Sequence, residues 1–345
     1  MIPQCGTISG GLIMKRTLVL VLCIVVAMTT LFGAGQKDGA ADKVYTLKLG
    51  HASTTESTRH KALLVMKEYV EKESNGRLII EIYPAETLGN ENAMIEAMKL
   101  GTLEMFVGGV FDAQTPMLNL YLMPFFFPTQ DDLMKVSHSA LGDKIRASAE
   151  KEGIKMLAVG DGGSRQITNN VRPIKSPADM KGLKLRTPPI ESIIEAMKAL
   201  GANPVSIPYG DTYMALKTNV ADGQENPLAN IGDMKFFEVQ KYMTMIDYQF
   251  HPEPIDMGLD MWNTLPEDLQ AIIQDGAWIY TDEQNRLRRE LNDYYYDMIV
   301  AGGAQVYRPN QSEIDQFIAA CKPVYDFFVK KGVVTQADLD EARRI

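Results

Sequence analysis

Residues 183–223 read LKLRTPPIESIIEAMKALGANPVSIPYGDTYMALKTNVADG. Short apolar-rich runs at LKLR (183–186), PVSIP (204–208) and VADG (220–223) predict strands. Between them, ESIIEAMKALG (191–201) and GDTYMALKTN (210–219) carry apolar residues at helical spacing. Strand and helix alternating at this pitch put the chain in the α/β class, with helices covering a sheet.

The same alternation continues upstream. From Val44, VYTLKLGHAS predicts a strand, and Ser53, Thr54 and Thr55 offer caps for a helix over ESTRHKALLVMKEYVEKES that Asn75-Gly76 stops. Strand RLIIEIYP (77–84), helix ENAMIEAMKLG (91–101) and strand LEMFVG (103–108) follow, then a Pro- and Phe-rich turn at 116–128. One helix is expected over about 129–152, then strand IKMLAV (154–159), a Gly-rich DGGSRQITNN connection and a helical turn capped by Ser176 with Pro177 first.

Downstream, 243–261 reads as strands returning to the first half of the fold. From Thr264 to about Val300 the chain holds one Gly, Gly276, and no Pro beyond Pro266, so one long helix or two abutting ones are predicted. At 1.5 Å per residue that is roughly 50 Å, enough to cross two lobes. The expected organisation is lobe I over 44–160, with part of 252–345 returning to it, and lobe II over 161–250. A bridging helix over 262–301 and a C-terminal strand and helices over 304–345 complete it.

At the other end, residues 14–35 begin with Lys15 and Arg16, run apolar from Leu18 to Phe32, and close on Gly33, Ala34 and Gly35. That is a secretory signal pattern covering 1–35, with residues 1–13 read as a mis-assigned start and cleavage expected between Gly35 and Ala41. Cys5 and Cys23 leave with it, so Cys321 remains alone and no internal disulfide is expected. The net charge of −9 disfavours a nucleic-acid partner.

Catalytic chemistry has no support in the sequence. Walker, GxGxxG, HExxH, CxxC and EF-hand patterns are absent, so no metal and no cofactor are expected and the chain is not read as an enzyme. Ser164 in GGSRQ lacks the second glycine of a nucleophile elbow. Glu191 and Glu195, one helical turn apart, read as a solvated face.

Binding chemistry is better supported. Arg165 closes the Gly-rich connection, and Arg186 closes LKLR just before Thr187-Pro188-Pro189, which cannot extend a sheet ladder. Ligands in open α/β sheets bind beyond strand ends, and a guanidinium there matches a carboxylate with two parallel bonds. A structural ion pair or a surface position is the alternative for each. In VADGQENPLANI (220–231), Gln224, Glu225, Asn226 and Asn230 surround Pro227 right after a predicted strand; the amides among them can donate to a ligand carboxylate or hydroxyl, and the alternative is an Asn-Pro helix start with capping duties.

SRQITNNVRPIKSPADMKGLKLRTPP, EAMKALGANPVSIPYGDTYMALKTNVADGQENPLANI and MWNTLPEDLQAII resemble the solute-binding proteins of tripartite ATP-independent periplasmic (TRAP) transporters, the DctP type. GRLIIEIYPAETLGNENAMIEAMKLGTLEM is similar to their first lobe. The resemblance runs from about Tyr45 to Ile345. It implies a two-lobed fold that closes over a small organic anion and delivers it to TRAP membrane subunits, as a periplasmic monomer.

On that resemblance Arg186 is the carboxylate anchor, Arg165 a second ligand arginine and Asn226 a polar ligand residue. His51, Glu91, Tyr248, His251 and Glu253 fall at lobe edges and are further candidates, each with a structural or surface role as the alternative. Many relatives read WDNGFR where this chain has GDGGSR (160–165), and Trp where Tyr209 stands. Smaller residues and an added hydroxyl favour a sugar acid, such as a uronate or aldonate, over a C4-dicarboxylate. An exported sensing module and a secreted carbohydrate-acid enzyme are readings of other classes. Phe125, Phe126, Phe127 and the methionines are expected in the core, with Trp262 and Trp278 packing the hinge.

Overall fold

The first strand, β1 (Tyr45–Gly50), hands over to α1 (Thr58–Glu73) through a cap at Ser57, whose side chain accepts from the His60 amide, and not at Ser53–Thr55. The chain continues through β2 (Leu78–Tyr83), α2 (Glu91–Lys99) and β3 (Met105–Val107). The computed structural model describes Met1, residues 43–109 and residues 111–345; apart from Met1, the expected signal segment and its expected cleavage region lie outside the described residues.

The helix expected over 129–152 is two, α3 (Gln130–Ser137) and α4 (Ala140–Ser148). Ser139 caps the second, and the junction is so tight that a Cβ on Gly142 would collide with the Ser137 and Val136 carbonyl oxygens. Then comes β4 (Ile154–Asn169), where the structure departs most from expectation: the Gly-rich stretch is no connection but the second half of one 16-residue strand.

After β4 come α5 (Pro177–Met180), β5 (Lys184–Thr187), α6 (Glu191–Ala199), β6 (Asn203–Ser206) and α7 (Thr212–Lys217). VADG forms a turn; the strand is β7 (Gly223–Pro227), so Gln224, Glu225 and Asn226 lie within it. A Cβ at Gly223 would strike the Thr168 carbonyl oxygen, which is why the strand begins against β4 there. α8 (Leu228–Asp233), β8 (Tyr242–Thr244), β9 (Phe250–Gly258), α9 (Leu259–Thr264), α10 (Glu267–Ala301), β10 (Gln305–Tyr307), α11 (Gln311–Lys331) and α12 (Gln336–Ala342) complete the chain.

The strands follow the order β2-β1-β3-β9-β4-β7-β5-β6, with β8 joined to β4 and β10 to β8. β4 belongs to both halves. Residues 154–164 pair antiparallel with β9, and residues 165–169 pair with β7 and β8. The β4–β9 register shifts between Asp161 and Ser164, where Gly163 has a φ of +92°.

The 35-residue α10 spans both lobes. Its first half packs Ile273, Ala277 and Tyr280 into the core of β1, β2 and α1, where a Cβ on Gly276 would collide with Val70. Its second half packs Tyr295 and Ile299 with Leu228, Ile231 and Phe236. Trp262 and Trp278 pack half-buried on the first of these cores, and Phe126 and Phe127 lie in a third. Among the described residues no helix is long and apolar enough to cross a membrane.

Candidate functional site

A cavity opens where the strand ends of the two half-sheets meet, lined by Arg59, Glu91, Arg165, Arg186, Tyr209, Asn226, Asn230 and His251, with Gly109, Pro188 and Ile190. Arg186, Arg165, Asn226, Tyr209, Glu91 and His251, and Asn230 from the same segment as Asn226, are thus brought together. His51, Tyr248 and Glu253 are not among the lining residues.

Arg186 stands in the last turnings of β5, whose ladder ends before Pro188 and Pro189. The residue is 1% exposed. Its Nε donates to the Ile207 carbonyl at 2.9 Å, and its Nη2 is buried with no partner among the described residues. Burial, with the like charge of Arg165 adding to it, pushes the guanidinium down to about 10, opposed by Glu225, Glu91 and Tyr209. It remains protonated at neutral pH. A buried cation with an unmet donor favours an anion at its free edge.

Arg165 is different. It is held on β4 opposite Pro227, and Nε and Nη2 bond the two carboxylate oxygens of Glu225, the second at 2.8 Å. Tyr248 donates its hydroxyl to the same carboxylate at 2.6 Å. Nη1 stands 3.0 Å from His251 Nδ1. A guanidinium only donates, so Nδ1 is the acceptor and His251 carries its proton on Nε2. Burial and then Arg165 hold that ring well below the usual histidine range, so it is neutral. Asn226, next on β7, donates to Gln224 at 2.5 Å.

Two further residues complete the walls: Arg59, which the sequence reading did not select, and Asn230, which it offered as a ligand amide or a helix cap. Arg59, 3% exposed in the first turn of α1, donates from Nε to Glu253 at 2.6 Å and from Nη1 to Ser53 at 2.9 Å. Asn230 sits on α8 beside the Tyr209 hydroxyl. Arg59 had a legible signal: it falls on the face of α1 that buries Ala62, Leu63 and Met66, where a charge needs a partner. Glu91 opens α2 and accepts from the Gly109 amide at 3.2 Å. Burial raises its pKa against the lowering pull of Arg59, that amide and Arg186.

The remaining candidates form the layer behind. Glu253 accepts from Arg59, from the Tyr280 hydroxyl at 2.6 Å, from Gln284 at 2.7 Å and from Arg288 at 3.2 Å. Burial opposes its charge, but the arginines hold its pKa far below the usual carboxylate range. His51 is fully buried: Nδ1 accepts from the Ser53 amide, and Nε2 lies 3.1 Å from His60 Nδ1. Burial, then Arg59 and His60, push it down to about 3.

The small residues of GDGGSR do not enlarge the cavity. A Cβ on Gly162 would lie 2.7 Å from the His251 ring, and one on Gly160 would meet Thr281 at 3.1 Å. The glycines admit neighbouring side chains. The Ser164 hydroxyl is bonded to Asp247, not to a histidine.

The family described as bacterial extracellular solute-binding protein, family 7 (DctP) matches residues 49–331. The 2,3-diketo-L-gulonate-binding periplasmic protein YiaO of Escherichia coli is 31% identical over 302 residues, 86% of this chain and 90% of its own. A TRAP periplasmic solute-binding protein from Haemophilus influenzae with bound L-gulonate superposes with a TM-score of 0.83 at 30% identity, covering 87% of this chain and 99% of its own. One from Roseobacter denitrificans with bound L-galactonate has a TM-score of 0.77 at 29% identity, covering 82% and 93%.

Proposed function

Because the chain belongs to the DctP type of bacterial extracellular solute-binding proteins, we propose that it captures a monocarboxylic sugar acid, of the aldonate or uronate class, and delivers it to TRAP membrane subunits. The observation that carries this is the buried Arg186 guanidinium, whose Nη2 has no partner among the described residues, on a cavity that Glu91 also lines. The first binds a carboxylate. The second is an acceptor, and the hydroxyls of a sugar acid are donors that succinate lacks.

Charge supports the same class. Glu225 balances Arg165, whereas Glu253 is shared by Arg59 and Arg288, so the walls are positive at the Arg186 and Arg59 sides and negative at Glu91. A monoanion with a polyol tail fits that polarity. The neutral His251, with its Nε2 proton, and the Tyr209 hydroxyl are further bonding groups on the wall.

In this reading lobe I is 44–160 with part of 252–345, and lobe II is 161–250. The ligand carboxylate meets Arg186 in an open form, and closure strengthens the pairing by excluding water. The chain is exported by its N-terminal signal and works as a periplasmic monomer that binds without turning its ligand over. The family and the neighbours above are binding proteins.

Thermal-shift screening tests this with L-gulonate, L-galactonate, D-galacturonate and succinate. A sugar acid at about 100 times its Kd adds about 2.7 kcal/mol of apparent stability. A shift with succinate and none with the three sugar acids overturns the assignment.

A further inference from the structure

Arg288 projects from the middle of α10 and does not line the cavity, yet its guanidinium reaches both walls. Nη1 bonds the Gly162 carbonyl on β4 and lies 3.3 Å from Asn230 Oδ1 on α8. Nη2 lies 3.2 Å from Glu253 Oε2 on β9. The other oxygen of that carboxylate, Oε1, takes Arg59, Tyr280 and Gln284. Arg288 is 8% exposed, so these contacts are made away from bulk water.

We propose that Arg288 is a positioning residue for ligand capture: one guanidinium on the long helix orients Asn230 on one wall and, by sharing Glu253, leaves Arg59 on the other wall with charge to offer the ligand. The inference rests on the anion-binding reading of the cavity.

Both effects follow from donor geometry. With Oδ1 of Asn230 accepting from Arg288, the amide group is oriented so that its NH₂ is the end left to donate. Glu253 carries one negative charge between two guanidiniums. Were Arg288 neutral, Arg59 and Glu253 would form a balanced pair and the potential on that wall would fall, although no atom touching the ligand had changed. A lysine keeps the charge but, as a point donor, cannot serve three acceptors in a fixed fork.

The test is calorimetric binding of L-gulonate and succinate to the full chain carrying Arg288→Met, Arg288→Lys, Asn230→Ala or both Arg288→Met and Asn230→Ala, with Arg186→Ala as the reference for the anchor. Arg288→Met is expected to weaken binding by about tenfold or more, and Arg288→Lys by less. In the Asn230→Ala background the Arg288→Met loss shrinks by about threefold or more, a coupling that a merely structural arginine would not produce. If Arg288→Met does not fold, the same cycle is run with Arg288→Lys. Binding within about threefold of wild type in the folded Arg288 variants, or losses that simply multiply with Asn230→Ala, overturns the inference while wild type still binds and Arg186→Ala still fails. No binding of either compound by wild type overturns the anion-clamp reading and this inference with it.

Discussion

Glu225 meets the guanidinium of Arg165 with both carboxylate oxygens, so of the two arginines that line the cavity from the β4-β7-β5 ladder only Arg186 retains an uncompensated charge. The two share a wall: one is tied to Glu225, and the other, in the proposed reading, is left to meet the ligand.

Replacing Arg186 by Ala removes the countercharge of an enclosed carboxylate and is expected to cost about 3–5 kcal/mol of binding, a loss of 10²–10⁴-fold. Arg186→Lys weakens binding as well, because a point charge does not reproduce the fork. Calorimetry on the two variants checks both statements.

Arg165→Ala is expected to act on stability before it acts on affinity. It strands the Glu225 carboxylate, which is 0% exposed, with Tyr248 as its remaining hydroxyl donor. Breaking such a pair costs about 3–5 kcal/mol, whereas an apolar replacement of both partners, Arg165→Met with Glu225→Leu, recovers much of it. Urea unfolding curves of the single and double variants read the difference.

Glu91→Gln turns an acceptor-only group into one that also donates. Sugar-acid binding is expected to weaken by about 1.5–3 kcal/mol, roughly ten- to a hundredfold, while succinate loses a repulsive neighbour and gains. Competition between L-gulonate and succinate on wild type and variant measures the shift in preference.

Asp256 supplies a pH dependence of stability. It is fully buried on β9, with Gln114 donating to one oxygen at 2.5 Å and the other oxygen without a partner among the described residues. Burial pushes its pKa up to about 7 from 3.8. The folded state therefore binds the proton more tightly than the unfolded one, and the contribution is fully present below about pH 4 and lost as pH rises through 7. Asp256→Asn is expected to flatten that fall, seen as a higher melting temperature than wild type at pH 8 and a similar one at pH 5.

Much of this architecture was legible because the signals were local. Pro188 and Pro189 mark the end of β5 and so where Arg186 stands, and the run from Thr264 with a single glycine announced a helix long enough to serve both lobes. What was not legible depended on contacts distant in sequence. Glycine ordinarily weakens a strand, yet Gly160, Gly162 and Gly163 stay in β4 because Thr281, His251 and Pro227 occupy the space their side chains would need. Arg59 and Glu253 are 194 residues apart, and no spacing rule joins them. The same holds for Arg288, which reads as one more charge on a helix that also carries Arg286 and Arg289.

β4 has a mechanical consequence. A single strand is stitched into both halves, so any swing of one lobe against the other has to be taken up as torsion within it or its neighbours. The register break between Asp161 and Ser164 leaves the ladder slack at that point, and the Gly163 amide, tied at 2.9 Å to the Asp161 carboxylate, gives the slack a resting position. Arg165 follows that break directly in the chain and is the β4 residue on the cavity wall, so a shift at the break reaches the wall within one residue.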